Sequence, residues 1–275
     1  MHSLLSCLRH PAFLVGLSVA SAFATEALQA KVCRVQAGTI RTVGGQDWDH
    51  AMSLQSALAV NTSGCTEIWL KQGVYVPSAT ASRWATFHVT GGLTLYGGFV
   101  GTETAVVQRD GNPETNFTIL SGDSSLDGID SNNSHHVVVV SASAQRAVLD
   151  GLTIRDGRAD ESVNATPEGG GLYCTQCNMT LNNMRFTANF AVRGGAIAMT
   201  PAGSPLITNA DLEANEASLH GGAMHVATYG SSGLVALPRV TARGTHAHRG
   251  AALHYLALHD ATLDPPTRDP THPCN

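Results

Sequence analysis

The sequence predicts an all-β fold: a right-handed parallel β-helix, or solenoid, with a short N-terminal capping helix. The first observation is an internal repeat, since Phe186 and Leu212 lie 26 residues apart and so do Asn189 and Asn215. Paired glycines recur 27 residues apart, at Gly194, Gly195, Gly221 and Gly222. Self-similarity with a period in the twenties is typical of a solenoid, in which each repeat buries its apolar face against its neighbours.

Two further observations identify the type of solenoid. Apolar and polar residues tend to alternate in each repeat, as at Leu181, Met184 and Phe186, and this pattern favours strands of about four to six residues over helices. The strands end at Gly or Asn, which accept the left-handed backbone of a sharp corner. Stacking places Asn189 over Asn215, where side-chain amides can hydrogen-bond along the axis. We therefore expect coils of roughly 25 to 28 residues.

Residues 1–30 read as a secretory signal peptide. Arg9 and His10 precede an apolar run over 11–24 that is too short to span a bilayer. A small-x-small cleavage site ends at Ala24, and a second possible cleavage site ends at Ala30. The alternatives are a buried N-terminal strand or an uncleaved anchor. The chain is therefore expected to be secreted, extracellular or on the cell surface.

Residues 31–66 are expected to form an N-terminal strand and a helical cap. Apolar residues recur at roughly helical spacing within 48–60, and Asp47 or Asp49 is placed to cap the start of that helix. Such a helix would cover the first coil, whose open end is otherwise an unpaired template for aggregation.

The coils are expected to fill residues 67–258, and the Pro-rich tail 259–275 is expected to be disordered or a loose cap. Net charge is −5, charged residues make up 13% of the chain, and no basic run occurs. A nucleic-acid partner is therefore not expected. Beyond the signal peptide, no apolar run is long enough for a transmembrane segment.

Cysteine usage agrees with export, because disulfides persist in oxidising compartments. Cys33 with Cys65 is the favoured pairing, since both lie at the starts of predicted strands. Cys174 and Cys177, expected at a coil corner, are interpreted as a structural disulfide rather than a redox pair or half a zinc site. The pairing of Cys274 stays open.

Several motifs in this order resemble a known group of proteins. They are DWDHAMSLQSALAV at 47–60, EIWLKQGVYVP at 67–77, TFHVTGGLTLYGGFVGTET at 86–104, TILSGD at 118–123 and VLDGLTIRDG at 148–157. This series resembles bacterial surface proteins with right-handed β-helix repeats, many of which end in a choice-of-anchor module. FTAN with GGAI and LEAN with GGAM resemble the repeats of polymorphic outer membrane proteins.

The resemblance implies a parallel β-helix, export and a surface or adhesive role. The chain departs from both groups in one respect, because it stops soon after the fourth clear repeat and no sorting or barrel module follows. Either a short secreted relative or a truncated form of a longer protein would account for that departure.

Two sets of side chains are candidate metal ligands. Asp123, Asp127 and Asp130 share one polar loop and offer hard oxygen ligands for Ca²⁺; the alternative is a solvated loop. His225 lies beneath His254 if the last coil is shifted by one residue, and stacked neutral imidazoles can bind Zn²⁺ or Cu²⁺. His220 is likewise expected beneath His248, so that two outward ladders meet near one corner. The alternative is a set of exposed surface histidines. Apart from a possible Ca²⁺, no cofactor is expected.

The function expected from these observations is a non-catalytic binding or structural module, adhesin-like, with an extracellular glycan or a host or cell surface as its partner. An outer face of Thr, Asn, Ser and Ala over 178–217 favours that interpretation. The alternative is a polysaccharide lyase or glycoside hydrolase acting on an acidic polysaccharide, which a convergent groove of acidic and basic residues would favour. A redox protein using Cys174 and Cys177 is a third class.

Overall fold

The computed structural model describes residues 30–80, 82–141, 145–160, 167–201, 203–228 and 235–257. Most of these residues lie in strands or in the turns between them, and helices are few and short. Residues 1–29 of the predicted signal peptide, the tail 259–275 and Cys274 lie outside the described residues.

The described elements follow one another from the N-terminal to the C-terminal end of the solenoid. The strands are β1 Val32–Val35, β2 Glu67–Lys71, β3 Gly73–Tyr75, β4 Phe87–Val89, β5 Thr94–Phe99, β6 Thr118–Ser121, β7 Val138–Val140, β8 Ala147–Arg155, β9 Arg158–Ala159, β10 Leu172–Cys177, β11 Met179–Thr187, β12 Phe190–Arg193, β13 Ile197–Pro201, β14 Leu206–Glu213, β15 Glu216–His220, β16 Met224–Thr228, β17 Val240–Arg243, β18 His246–Arg249 and β19 Leu253–Ala257. The helices are α1 Leu54–Leu58 and α2 Val60–Ser63, and the 3-10 turns are Val106–Gln108 and Asp130–Asn132.

The strands form three sheets in which neighbouring strands are parallel. Sheet A runs β1-β2-β5-β8-β11-β14-β17, with β6 also paired to β8 and β3 paired to β6. Sheet B runs β4-β7-β10-β13-β16-β19, and sheet C runs β9-β12-β15-β18. From β8 onward each coil contributes one strand to each sheet, in the order A, C, B. Earlier, β2 with β3 and β5 with β6 give sheet A two strands per coil, and sheet B begins at β4. This arrangement is a parallel β-helix, as the repeat and the strand pattern predict.

The hydrophobic core is one continuous cluster along the inside of the coils. On β11, Leu181 and Phe186 are fully buried, and their register partners Leu149, Ile154 and Leu212 lie inside as well. The alternation seen in the sequence therefore separates an inner apolar face from an outer polar face. Burying each such side chain contributes roughly 1.5–3 kcal/mol.

Each coil changes direction at positions with left-handed backbone, and these positions stack into three ladders. One, within sheet A, is termed the bend ladder and consists of Gly151, Asn183, Asn209 and Arg239, at φ of 75°, 50°, 51° and 56°. The second, between sheets A and C, consists of Asp156, Ala188, Ala214 and Gly244. The third, between sheets C and B, consists of Gly169, Gly194, Gly221 and Gly250.

Buried amides and glycines hold the coils in register. Asn189 and Asn215 are 1% and 0% exposed, and Nδ2 of Asn189 donates to Oδ1 of Asn215 at 2.9 Å. Gly157 N donates to Oδ1 of Asn189 at 3.0 Å, which continues the ladder one coil down. A Cβ at Gly195 or Gly222 would meet backbone oxygens of neighbouring coils, so the second glycine of each pair is fixed by close approach.

The N-terminal cap differs from its prediction at the helix start. The helix begins at Leu54 and is capped by Ser53, whose hydroxyl accepts from Ser56 N at 3.2 Å. The expectation that Asp47 or Asp49 caps a helix over 48–60 is therefore wrong. Oδ1 of Asp47 instead accepts from the backbone N of His50 at 2.8 Å in a turn. Leu54, with Ala57 and Leu58, is buried in the core cluster at this end of the solenoid.

Both predicted disulfides are present. Cys33 in β1 pairs with Cys65, just before β2, with a Cα–Cα distance of 5.8 Å. Cys174 pairs with Cys177 inside β10, and both are fully buried. The expected position of this second pair at a coil corner is wrong, because left-handed Gln176 forms a bulge within the strand and lets both sulfurs face the core.

Candidate functional site

A groove of about 500 Å³ lies on the outer face of sheet A. Its floor is formed where β11, β14 and β17 stack, and its wall is the loop 111–114. The outward side chains on the floor are mostly polar or charged: Asn183, Arg185, Asn209, Asp211, Arg239, Thr241 and Arg243. The floor is therefore built by the same alternation that puts Met184 and Phe186 inside.

Ion pairs between rungs order the floor. Arg185 Nη2 lies 2.7 Å from Oε2 of Glu213, one strand away. Arg243 Nη2 lies 2.9 Å from Oδ2 of Asp211, and the Thr241 hydroxyl donates to the other oxygen of Asp211 at 2.6 Å. The hydrogen bond that the Arg243 guanidinium donates to Asp211 raises the pKa of Arg243 above its usual value. Both guanidinium groups are thus positioned by carboxylates of the neighbouring strand.

The wall is held down by Arg109. Its guanidinium packs 4.9 Å from the ring centroid of Tyr96, lies 2.8 Å from Oδ1 of Asp150 and donates to the carbonyl of Gly97 at 3.0 Å. The Arg109 side chain is only 8% exposed, so the pair with Asp150 is shielded from solvent and its loss would leave a buried charge unpaired. This anchor fixes the start of the loop against β5 and β8.

The far end of the wall is fixed by Asn116. Its buried side-chain amide donates to the carbonyls of Asp110, Asn112 and Gly151, and its Oδ1 accepts from Thr118 N. The loop is therefore bonded both to itself and to the bend ladder at Gly151. A rigid wall beside a rigid floor gives a preorganised groove, which lowers the ordering cost of binding a ligand.

The charges in the groove are mixed. Three guanidinium groups, on Arg185, Arg239 and Arg243, share it with the carboxylates of Glu114 and Asp211. Within the described residues, Arg239 makes no ion pair, unlike Arg185 and Arg243. Guanidinium, carboxylate, amide and hydroxyl groups together donate to and accept from a ligand rich in hydroxyl groups.

Two of the three candidate calcium ligands bond to backbone of their own loop, and the third lies near Arg158 of β9. Asp123 accepts from the backbone N of Gly128 at 2.9 Å, and Asp127 accepts from the backbone N of Ile129 at 2.9 Å. Asp130 lies 3.7 Å from Nη1 of Arg158. The structure does not gather them: no group of three or more His, Cys, Asp or Glu side chains among the described residues is arranged to hold a metal ion.

The predicted pairing of His225 with His254 is present in the register of β16 and β19. Their ring centroids lie 5.0 Å apart with the ring planes 20° from parallel. Their Nδ1 atoms lie 3.0 Å apart, so one nitrogen donates to the other. Burial, followed by the charges of His254, Arg193 and His220, lowers the pKa of His225 to about 4. His220 stacks on His254 at 4.2 Å between centroids. Whether the pair binds a metal ion stays a prediction.

One register expectation in this region is wrong. His220 pairs with Arg249 rather than lying beneath His248. The cause is the spacing of β15 and β18: Ala217 pairs with Ala247, 30 residues on, and His220 with Arg249, 29 residues on, whereas pairing with His248 requires a spacing of 28.

Sequence reasoning missed the groove residues because they come from four segments, none of which carries a motif. The available signal was the register itself. Aligning the repeats on Phe186 and Leu212 aligns Arg185 with Asp211, and these are neighbours in the structure. Arg239 belongs to a repeat of different length and could not be aligned in this way.

The fold and the groove define a class of protein: a parallel β-helix with a polar groove on its outer face. Comparisons with known proteins do not assign the chain to a family within this class. A family model described as the periviscerokinin family matches residues 230–240. Eleven residues do not show membership of a family. No curated protein and no solved structure matches the chain. In the part of the chain that the structure describes, no helix has the length and hydropathy needed to cross a bilayer.

Proposed function

We propose that this protein is a secreted or cell-surface β-helix that acts as a binding module, with an extracellular glycan held in the sheet A groove. The observation that carries the proposal is the groove itself. Charged, amide and hydroxyl side chains from three successive strands face one channel of about 500 Å³. Sugars present hydroxyl groups as donors and acceptors in close succession, and this set of side chains matches them.

The geometry of the solenoid supports an extended ligand. Adjacent strands lie about 4.7–4.9 Å apart, so outward groups such as Arg185 on β11 and Asp211 on β14 repeat along the axis at that spacing. A polymer laid along the axis meets a new set of polar groups at each coil. Weak contacts repeated along one polymer together give a higher affinity than each contact gives alone, and the protein does not have to move to form them.

The expectation of export supports an extracellular partner. The apolar run at 11–24 has the length of a signal peptide. The Cys33–Cys65 and Cys174–Cys177 disulfides are of the kind that persist outside the reducing cytosol. A solenoid that carries a polar groove on the outer face of one sheet supports an adhesin-like role.

The test is glycan-array binding of the secreted chain, compared with the variants Arg243→Ala and Arg41→Ala. Arg243 lies in the groove on the last strand of sheet A, with its side chain 61% exposed, so its removal leaves the core intact. Arg41 is also exposed but lies outside the groove. We expect Arg243→Ala to weaken binding of the array hits by about tenfold, the value of one charged hydrogen bond.

The Arg41→Ala control is expected to bind like the unchanged protein. Equal affinities for all three proteins would contradict the groove as the binding site. Release of unsaturated or reducing products from the bound glycan would contradict the non-catalytic role and favour the lyase or hydrolase alternative.

A further inference from the structure

We propose that Arg239 determines the specificity of the groove for a glycan with a negatively charged substituent, a carboxylate or a sulfate. This inference rests on the proposed function and names the substrate class of the same groove. It comes from two independent observations on Arg239, its backbone conformation and its lack of an ionic partner in the described residues.

The backbone observation concerns the bend ladder. Three of its members, Gly151, Asn183 and Asn209, are of the residue types that adopt left-handed backbone with little strain. Arg239 occupies the next rung with φ 56°, where a long side chain without local compensation is disfavoured. Residues kept in such conformations tend to occur at functional sites, where the side chain is needed in that place.

The second observation is electrostatic. Arg185 and Arg243 are each bound by a carboxylate of the neighbouring strand, Glu213 or Asp211. Arg239 lines the same groove, is exposed, and has no carboxylate within ion-pair distance among the described residues. Its planar fork of donors is suited to bidentate recognition of a carboxylate or a sulfate-like group.

The rest of the groove limits how much negative charge the ligand carries. Glu114 on the wall repels anions, and the positive charges of Arg185 and Arg243 are already compensated. A ligand satisfies these conditions best when the part that occupies the groove carries one anionic group among hydroxyl groups. A dense polyanion satisfies them less well. A glycan containing uronic acid or sparse sulfate fits that description.

The experiment measures affinity of the secreted chain for three probes: an otherwise neutral oligosaccharide that carries one uronic acid, the methyl ester of that oligosaccharide, and a monosulfated neutral oligosaccharide. The variants are Arg239→Asn, Arg239→Lys and the control Arg41→Asn. Asn is the residue that the bend ladder carries at 183 and 209, so Arg239→Asn is expected to fold and to keep or raise the thermal unfolding midpoint.

The unchanged protein should bind an anionic probe about tenfold or more tightly than the esterified one, because a charged hydrogen bond is lost on esterification. Arg239→Asn should remove that difference, Arg239→Lys should restore part of it, and Arg41→Asn should preserve it. Preference for the uronic acid probe or for the sulfated probe distinguishes the two sources of charge.

Two results would overturn the inference. If Arg239→Asn binds all probes as the unchanged protein does while Arg243→Ala loses affinity, the groove binds glycan but Arg239 does not select charge. If the esterified probe binds as tightly as both anionic probes, the anionic class is wrong. A separate result would contradict the proposed function itself. If neither Arg243→Ala nor Arg239→Asn changes the binding of any glycan, the groove is not the binding site.

Discussion

At the residue scale, His225 shows what burial does to a titratable side chain. It is 3% exposed, and its pKa lies near 4 because burial, then His254, Arg193 and His220, disfavour the charged form. The unfolded chain takes up this proton near pH 6.5, so the unfolded state binds more protons between the two values. The free energy of unfolding must therefore fall as pH drops from about 6.5 to 4.

We expect the part of this loss that belongs to His225 to be about 2–3 kcal/mol, from 1.36 kcal/mol per pKa unit. Chemical denaturation of the unchanged protein and of His225→Asn from pH 7 to 4 measures it. The variant should be less stable at pH 7, and its stability should fall less steeply with acid. Ser218→Asn, at an exposed site in β15, should keep the pH slope of the unchanged protein; equal pH slopes for all three would contradict the assignment.

At the element scale, the coil corners explain the repeat and also show where it is imperfect. Ala188 and Ala214 hold left-handed positions, φ 54° and 52°, in the ladder that Gly244 continues. Left-handed backbone costs an L-residue about 1–2 kcal/mol, whereas glycine adds about 0.5–1 kcal/mol of chain entropy to be lost on folding. The strain is the larger effect, and both alanines are exposed, so no packing is lost on replacement.

Ala188→Gly and Ala214→Gly are therefore each expected to raise the free energy of unfolding by roughly 0.5–1 kcal/mol. The control is Ala242→Gly, at an exposed site in β17 whose backbone is not left-handed. That change should lower stability by a similar amount. Urea denaturation of the three variants decides the matter, and destabilisation at all three positions would mean that the corners are not strained.

The same elements show which parts of the structure can be predicted from the sequence. The alternation of apolar and polar residues and the repeated glycine pairs predict the fold. They do so because Leu181, Phe186 and their register partners in the neighbouring coils all face the core. The helix start was missed because Ser53 and Asp47 are both good caps, and the choice depends on where the chain leaves β1. The groove was missed because Arg239 and the loop 111–114 meet only in the folded molecule.

At the scale of the whole molecule, the solenoid makes stability local. Each coil contacts mainly its neighbours, so stability is approximately a sum of coil and interface contributions. Leu212 is 2% exposed in the core of a C-terminal coil, and Leu212→Ala is expected to cost about 2–5 kcal/mol. The N-terminal coils, closed by α1 and the Cys33–Cys65 disulfide, do not depend on that contact.

Leu212→Ala should therefore reduce hydrogen-exchange protection in β14 to β19 while β2 to β8 keep theirs. Because β14 and β17 form the groove floor, glycan binding should fall with the protection of these strands. Leu95→Ala, an equally buried site in β5, is the matched change and should reduce protection mainly near the N-terminal end. Equal loss of protection in every coil, from either variant, would show instead that the solenoid unfolds as one cooperative unit, so that the groove is only as stable as the whole.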